Sequence, residues 1–203
     1  MSKRGMLVIL SGPSGSGKGT IVRQLLNERD DTVLSVSATT RPPRRGEKEG
    51  VHYYFKTRQE FEKLIRQNAF LEYAEYNGNY YGTPEEPIRR LIDEGKNVIL
   101  EIEVQGAEMV MDHRSDLVSI FITIPSLGEL ERRLRERDTE SEQAIEKRLD
   151  IAKRELSRAF RYDYIVLNDD VSLAVERIQT ILRAEEMRYS RMENYILEVV
   201  KNA

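Results

Sequence analysis

The chain lacks cysteine altogether, which excludes disulfides, thiolate metal sites and cysteine nucleophiles and fits a cytoplasmic setting. It has two histidines, His52 and His113, neither adjacent in sequence to another catalytic group, so chemistry driven by a histidine base is not expected. It has no apolar run near the roughly 20 residues needed to span a bilayer. The run Met6 to Leu10 after Lys3 and Arg4 is too short for a signal peptide, so a soluble protein without a membrane partner is expected. There is no excess of positive charge either: 32 basic against 35 acidic residues leave a net charge of −3. General nucleic-acid binding is disfavoured, and any basic site has to be local. No internal repeat and no low-complexity linker interrupts the 203 residues, 39% of them apolar, which suffice for one core and are too few for two ordinary domains plus linkers.

What the chain does have is Gly12-Pro13-Ser14-Gly15-Ser16-Gly17-Lys18-Gly19-Thr20, set between the apolar run Met6 to Leu10 and the helical stretch Ile21 to Leu26. Glycines in this place let backbone amides turn inward around an anion, the helix presents its positive end, and Lys18 adds a mobile charge. The position after the lysine, often a magnesium-binding Ser or Thr, is Gly19, with Thr20 one place later. Mg2+ is therefore expected to be held mainly by substrate phosphates and water, with no dedicated protein metal site.

Runs at Met6 to Leu10, Val33 to Val36, Val98 to Ile102, Leu117 to Ile124 and Tyr164 to Leu167 read as buried strands separated by helical segments. This predicts an α/β fold with a parallel sheet flanked by helices. Thr83 is expected to cap a helix with Pro84 at its first position, Glu85 and Glu86 in its first turn and Gly95 after its end. Leu127, Leu130 and Leu134 recur at helical spacing after Pro125, and Val171 to Val200 reads as one long charged tail helix. Between the second and third strands the texture changes: Tyr53, Tyr54, Tyr73, Tyr76, Tyr80 and Tyr81 sit among glycines and arginines. Short alternating runs at Val51 to Phe55 and Phe70 to Tyr76 predict a small β-rich insert that binds substrate.

A second anion site is expected at Ser37 to Glu47. Arg41, Arg44 and Arg45 stand within five residues on a segment stiffened by Pro42 and Pro43, and arginine suits forked binding of phosphate oxygens. Tyr53 and Tyr81 can donate phenolic hydroxyls to the same anion. A solvated basic loop is the plainer alternative.

With these residues in view the chain resembles the guanylate kinase family along almost its whole length. The resemblance rests on GPSGSGKGT, whose Gly-Lys-Gly-Thr ending is shared with small nucleoside monophosphate kinases, and on TTRPPRRGE with Gly50 and Tyr53. It rests further on Phe70-Leu71-Glu72-Tyr73, on Gly78-Asn79-Tyr80-Tyr81-Gly82-Thr83, on Leu100 to Gly106 and on Asn168-Asp169-Asp170. It implies the P-loop nucleoside monophosphate kinase fold: a core of residues 1–37, 84–125 and 160–203, a GMP-binding lobe at 38–83 and a helical lid at 126–159. It implies phosphorylation of GMP by ATP to give GDP and ADP, in purine nucleotide metabolism and GMP recycling. Position by position, Gly12 to Thr20 would bind ATP. Arg41, Arg44, Tyr53 and Tyr81 would hold the GMP phosphate, and Ser37, Glu72 and Thr83 would read guanine. Glu103 is assigned to substrate, and whether it or Glu101 reaches metal or guanine is left open.

The chemistry accounts for these residue types. Guanine offers two donors, N1–H and the 2-amino group, beside the O6 acceptor, so a carboxylate such as Glu72 and a hydroxyl such as Ser37 suit it where adenine would mismatch. Phosphoryl transfer needs alignment and charge neutralisation, and the acceptor phosphate is already mostly ionised, so no general base is required. Arg133 and Arg137 lie four apart on one helical face and Arg148 on the next segment, placed to swing over the transferring group together with Lys18 and Arg41. Arg132 and Arg135 read instead as members of surface ion pairs. Asn168 reads either as an adenine contact or as part of a turn that starts the last helix. A binding scaffold on the same fold, or a kinase for another monophosphate, is the competing reading; the intact Gly12, Gly17 and Lys18 oppose the first, and Ser37 with Glu72 opposes the second. The sequence leaves monomer or homodimer open.

Overall fold

Apolar residues alternate along the first strand so that Met6, Val8 and Leu10 bury on one face while Leu7 and Ile9 bury on the other. That period of two makes the sheet a middle layer. The computed structural model describes residues 4–136 and 141–202. In chain order the strands are β1 (Leu7–Ser11), β2 (Thr32–Leu34), β3 (Ala38–Thr39), β4 (Tyr54–Phe55), β5 (Phe70–Tyr76), β6 (Asn79–Pro84), β7 (Asn97–Glu101), β8 (Leu117–Thr123) and β9 (Tyr164–Leu167). The helices are α1 (Lys18–Glu28), α2 (Arg58–Arg66), α3 (Glu85–Asp93), α4 (Val104–His113), α5 (Leu127–Arg135), α6 (Glu142–Leu156), α7 (Val171–Glu186) and α8 (Tyr189–Lys201).

Five strands form a parallel sheet in the order β2-β7-β1-β8-β9. One face packs Ile21 and Leu25 of α1 and Ile178 and Leu182 of α7; the other packs Ile88 and Ile92 of α3 and Val104, Ala107 and Val110 of α4. Burial of each of the Ile, Leu and Val side chains among these contributes about 1.5–3 kcal/mol relative to exposure, so the two faces fix the positions of the strand ends. A second sheet, ordered β4-β3-β6-β5, stands on the first between β2 and α3. It holds together around Phe61, fully buried and stacked on Phe70 at 4.4 Å and on Tyr80 at 5.2 Å between ring centroids. Phe61 is presented by α2, which begins with a reciprocal cap between Thr57 and Glu60. A third apolar cluster packs Leu130 and Leu134 of α5 and Ile145 and Ala152 of α6 with Ile124, just past β8, and Leu156 joins it to the sheet.

Several expected boundaries move. The tail is two helices, because Met187 ends α7 and Arg188 is extended at φ −61° and ψ 136°. Next to the break Glu185 is buried and gathers Tyr164, Arg188 and Arg191 around itself. Thr83 does not cap α3. It lies in β6 with its hydroxyl donated to Glu72, and Pro84 occupies the cap position, ahead of the first helical residue. The second strand stops at Leu34; the Ser35 amide makes one more bond to Ile99, and the chain then leaves for the second sheet. Of Val51 to Phe55 only Tyr54 and Phe55 are strand, because Gly50, at φ 71°, turns the chain before them.

Candidate active site

The first glycine-rich segment sits where β1 ends and α1 begins, at the carboxyl edge of the parallel sheet, where such folds bind ligands. A side chain at Gly12 is impossible, since its first carbon would fall 2.2 Å from the Ile122 carbonyl oxygen. Gly17 starts α1 in the left-handed region at φ 90°, with no side-chain cap and no acid in the first turn. The helix therefore offers its amides and its positive end to an external anion. Lys18 donates to the Gly12 carbonyl and, at 3.1 Å, to that of Pro13. Burial pushes the pKa of its ammonium down, and Glu155, Glu101 and Glu103 act against that shift.

The end of β7 supplies Glu101, one carboxylate oxygen of which lies 3.4 Å from where a Gly19 side chain would begin. Desolvation pushes this carboxyl up and Lys18 opposes the shift. Glu103 precedes α4 without capping it and faces Lys18. Thr20 is exposed in the first turn of α1. Among the described residues there is no group of three or more His, Cys, Asp or Glu side chains able to hold a metal ion.

On the other side of the loop Asn168 is buried at the end of β9 and donates to the Ser16 carbonyl at 2.6 Å. The turn role weighed for this segment belongs to Asp170, which caps α7 through the Leu173 amide. Arg133 reaches over from α5, donating to Glu129 at 2.7 Å and to the Asn168 carbonyl at 2.9 Å. Gly15, Gly17, Thr20, Arg133, Asn168, Asp169 and Val171 bound an open cavity of about 340 Å³ beside the loop. Arg148 lies half-buried on α6. Arg137 lies outside the described residues, as does most of the acidic turn after it. Arg132 and Arg135 pair with Glu129, Glu136, Glu131 and Glu142 on the surface of α5 and α6, and Arg132 and Arg133 pull Glu129 down to about 2.

The second sheet gathers the other predicted group. The Arg41 guanidinium lies 5.4 Å from the centre of the Tyr53 ring and within reach of the Tyr81 hydroxyl, and the two tyrosine rings meet edge to face at 6.2 Å. Its Nη2 donates to both oxygens of Glu47, at 2.8 and 3.0 Å, and Glu47 also takes the Arg44 amide at 2.7 Å. These bonds hold the Glu47 carboxyl below the usual carboxylate range. Sequence reading gave Glu47 no role, although it closes the quoted TTRPPRRGE segment. The Arg44 side chain itself is exposed.

Glu72, on β5, accepts the Thr83 hydroxyl at 2.6 Å, and burial pushes its pKa up. Room for this carboxylate comes from Gly106, where an added carbon would stand 3.3 Å from Glu72 Oε2. Ser37 contributes its carbonyl to the Tyr54 amide and lies half-buried at the start of the lobe. The first turn of α4 thus borders both groups, with Glu103 toward Lys18 and Gly106 beneath Glu72. His52 accepts the Lys48 amide within the lobe and His113 meets the Met109 carbonyl at the end of α4, so neither enters the site.

Another cavity, of about 870 Å³, lies elsewhere, among Arg4, Leu7, Asp116, Leu117 and Tyr195. That is the amino edge of the sheet, the wrong end of such a fold for its chemistry.

A family model described as guanylate kinase matches residues 4–185. The chain is 50% identical to the guanylate kinase of Desulfitobacterium hafniense (strain Y51) over 187 residues, covering 92% of this chain and 94% of that one. It is 50% identical over 190 residues to the guanylate kinase of Halalkalibacterium halodurans, covering 94% and 93%. Among solved structures it is similar to guanylate kinase from Anaplasma phagocytophilum, with a TM-score of 0.71, 38% identity and coverage of 93% and 90%.

Proposed function

This chain belongs to the guanylate kinase family, and we propose that the two anion pockets divide that family's reaction between them, the phosphate loop holding ATP and the arginine-tyrosine cradle holding GMP. The enzyme is an ATP-dependent nucleoside monophosphate kinase that converts GMP to GDP. The observation that carries the division of labour is the shared border: the first turn of α4 lies between the loop lysine and the guanine-reading carboxylate, so donor and acceptor meet over one structural element.

In this reading the amides of Gly12 to Thr20 wrap the ATP phosphates, and Lys18 leaves the carbonyls of Gly12 and Pro13 for the transferring group. Arg133 moves in from Asn168, and Arg137 and Arg148 close with it, so that residues 126–159 exclude water as a lid. The lobe 38–83 brings GMP, its phosphate on Arg41, Arg44, Tyr53 and Tyr81. Glu72 accepts the two guanine donors, with Thr83 fixing its orientation and Ser37 donating to O6. Adenine occupies the cavity beside Asn168. The hard oxygens of Thr20, Glu101 and Glu103 beside the loop suit Mg2+ carried on phosphates and water, which would supply charge neutralisation between the phosphates. The enzyme works on the free nucleotide pool, which assigns it to the cytoplasm, and no helix of the described residues is long and apolar enough to cross a membrane. Exposed Tyr195, Ile196 and Val200 on α8 suit a homodimer as well as a monomer, and sedimentation of the purified chain separates the two.

A coupled assay with ATP against GMP, AMP, dTMP and UMP tests the reading. Turnover confined to GMP is expected. Preference for another acceptor overturns the guanine assignment, and absence of any turnover favours a binding scaffold.

A further inference from the structure

α4 carries a glycine that its own helix does not call for. Gly106 is the third residue of α4, and its φ lies outside the left-handed region that favours glycine. Glycine is a poor helix former beside alanine, so the backbone of α4 does not explain it. Packing on the parallel sheet does not either, since α4 makes that contact through Val104, Ala107 and Val110. Gly106 faces the second sheet instead. A carbon added there would stand 3.3 Å from Glu72 Oε2, 3.6 Å from its Cδ and 3.7 Å from its Cγ.

The carboxylate has little freedom to yield to such a carbon. Glu72 pairs across β5 and β6 with Thr83, which is fully buried and donates its hydroxyl to Oε1 at 2.6 Å. The Glu72 backbone is held as well, because a side chain at Gly82 would begin 2.9 Å from its carbonyl oxygen. The carboxylate therefore rests between a hydroxyl on β6 and the bare backbone of α4, each beside a different oxygen. Accepting two guanine donors at once needs both oxygens at hydrogen-bond range and in line, so a displacement of a few tenths of an ångström is felt in binding.

We infer that Gly106 is a positioning residue for the acceptor base: the side chain it lacks is the space in which Thr83 holds the Glu72 carboxylate for guanine. This role rests on the guanine reading of Glu72 proposed above and gives α4 a part in setting the acceptor preference.

Gly106→Ala fills that space in the full chain. With ATP saturating, the variant should raise KM for GMP by about three- to tenfold, the scale of one hydrogen bond pulled out of line. Its kcat and its KM for ATP should stay within about twofold, as expected when binding common to ground and transition states is lost. The thermal midpoint should fall by no more than about 5 °C, because alanine is the better helix former. In a Glu72→Ala background there is no carboxylate to displace. Adding Gly106→Ala there should leave kcat/KM for GMP within about twofold of Glu72→Ala alone. An unchanged KM for GMP in Gly106→Ala overturns the role. So does an undiminished effect in the Glu72→Ala background, which would route it through something other than the carboxylate. A larger drop in midpoint makes the glycine a requirement of packing and overturns the role too. A wild-type chain that prefers another acceptor sinks the guanine reading itself, whereas a GMP-selective wild type whose Gly106→Ala variant keeps its KM sinks this role alone.

Discussion

The two anion pockets are made of different materials. The phosphate loop works through backbone: glycine turns, an uncapped helix start and amides whose places are set by β1 and α1. The lobe pocket works through side chains on a thin sheet, and its leading cation already grips an acid of its own, Glu47. On the proposed division of labour the first pocket is shaped before its ligand arrives and needs only Lys18 to lift away, whereas the second has to exchange an internal anion for an external one. Backbone pockets give affinity for phosphate as such, whereas side-chain pockets can be tuned to one substrate and moved with a lobe.

Removing the key cation from each pocket breaks the comparison most severely. Lys18→Ala is expected to lower kcat by about 10³-fold, since the ammonium neutralises charge that develops in the transition state. GMP binding, measured by calorimetry, should stay within about threefold because the lobe pocket is intact. Arg41→Met should do the reverse: kcat/KM for GMP falls by about 10²-fold through loss of a charge-assisted bidentate contact, while ATP binding holds. If either variant weakened both ligands equally, the pockets would not be separable.

The same contrast explains what could be read from sequence. Gly12 to Thr20 is legible because a backbone pocket is written in consecutive residues, between one strand and one helix. Arg41, Tyr53 and Tyr81 are legible as residue types, but their meeting depends on β3 pairing with both β4 and β6. The grip of Glu47 on Arg41 depends on a turn whose geometry no periodicity predicts. Gly106 looks like an ordinary helical glycine until α4 is placed against β5 and the space proves to be that of the Glu72 carboxylate. Sequence favours Thr83 as a helix cap because capping is local and frequent, whereas its actual partner Glu72 sits eleven residues away across the bulged β5–β6 pair. The strand pattern of the main sheet was legible nearly to the residue, since burial on both faces leaves long apolar runs.

Glu72 sharpens the comparison at the level of the base. Glu72→Gln should raise KM for GMP by about tenfold or more, because an amide turns a donor toward one of the guanine donors, with kcat changed far less. Burial holds the free carboxyl above its usual range. As pH falls through that raised value the group takes a proton and stops accepting both donors, so kcat/KM for GMP should decline at a higher pH than an ordinary carboxylate would give. The Gln variant should lack that acid limb. The stability effect has the opposite sign: a carboxyl whose folded pKa is raised favours the folded chain at low pH and loses that contribution as pH rises through the folded value. At neutral pH Glu72→Gln should therefore unfold at the same temperature or slightly higher, so a marked drop in thermal midpoint would mean that Glu72 is retained for the fold.

The smallest expected effect belongs to Glu47, and it decides how the side-chain pocket exchanges anions. Its carboxylate holds Arg41 by Nη2 and the Arg44 amide together, so it both competes with GMP phosphate and keeps the guanidinium aimed beside Tyr53 and Tyr81. Alignment outweighs competition if the Arg41 fork can keep Glu47 on Nη2 while its remaining donors turn to phosphate, and the bond from Nη1 to the Pro42 carbonyl shows a donor spent on a replaceable partner. Glu47→Gln should then raise KM for GMP by about three- to tenfold, the scale of one lost charge-assisted hydrogen bond, and leave KM for ATP unchanged. A lower KM for GMP would mean that Glu47 acts chiefly as a competing anion, and the lobe pocket would be a site emptied by its substrate instead of one prepared for it.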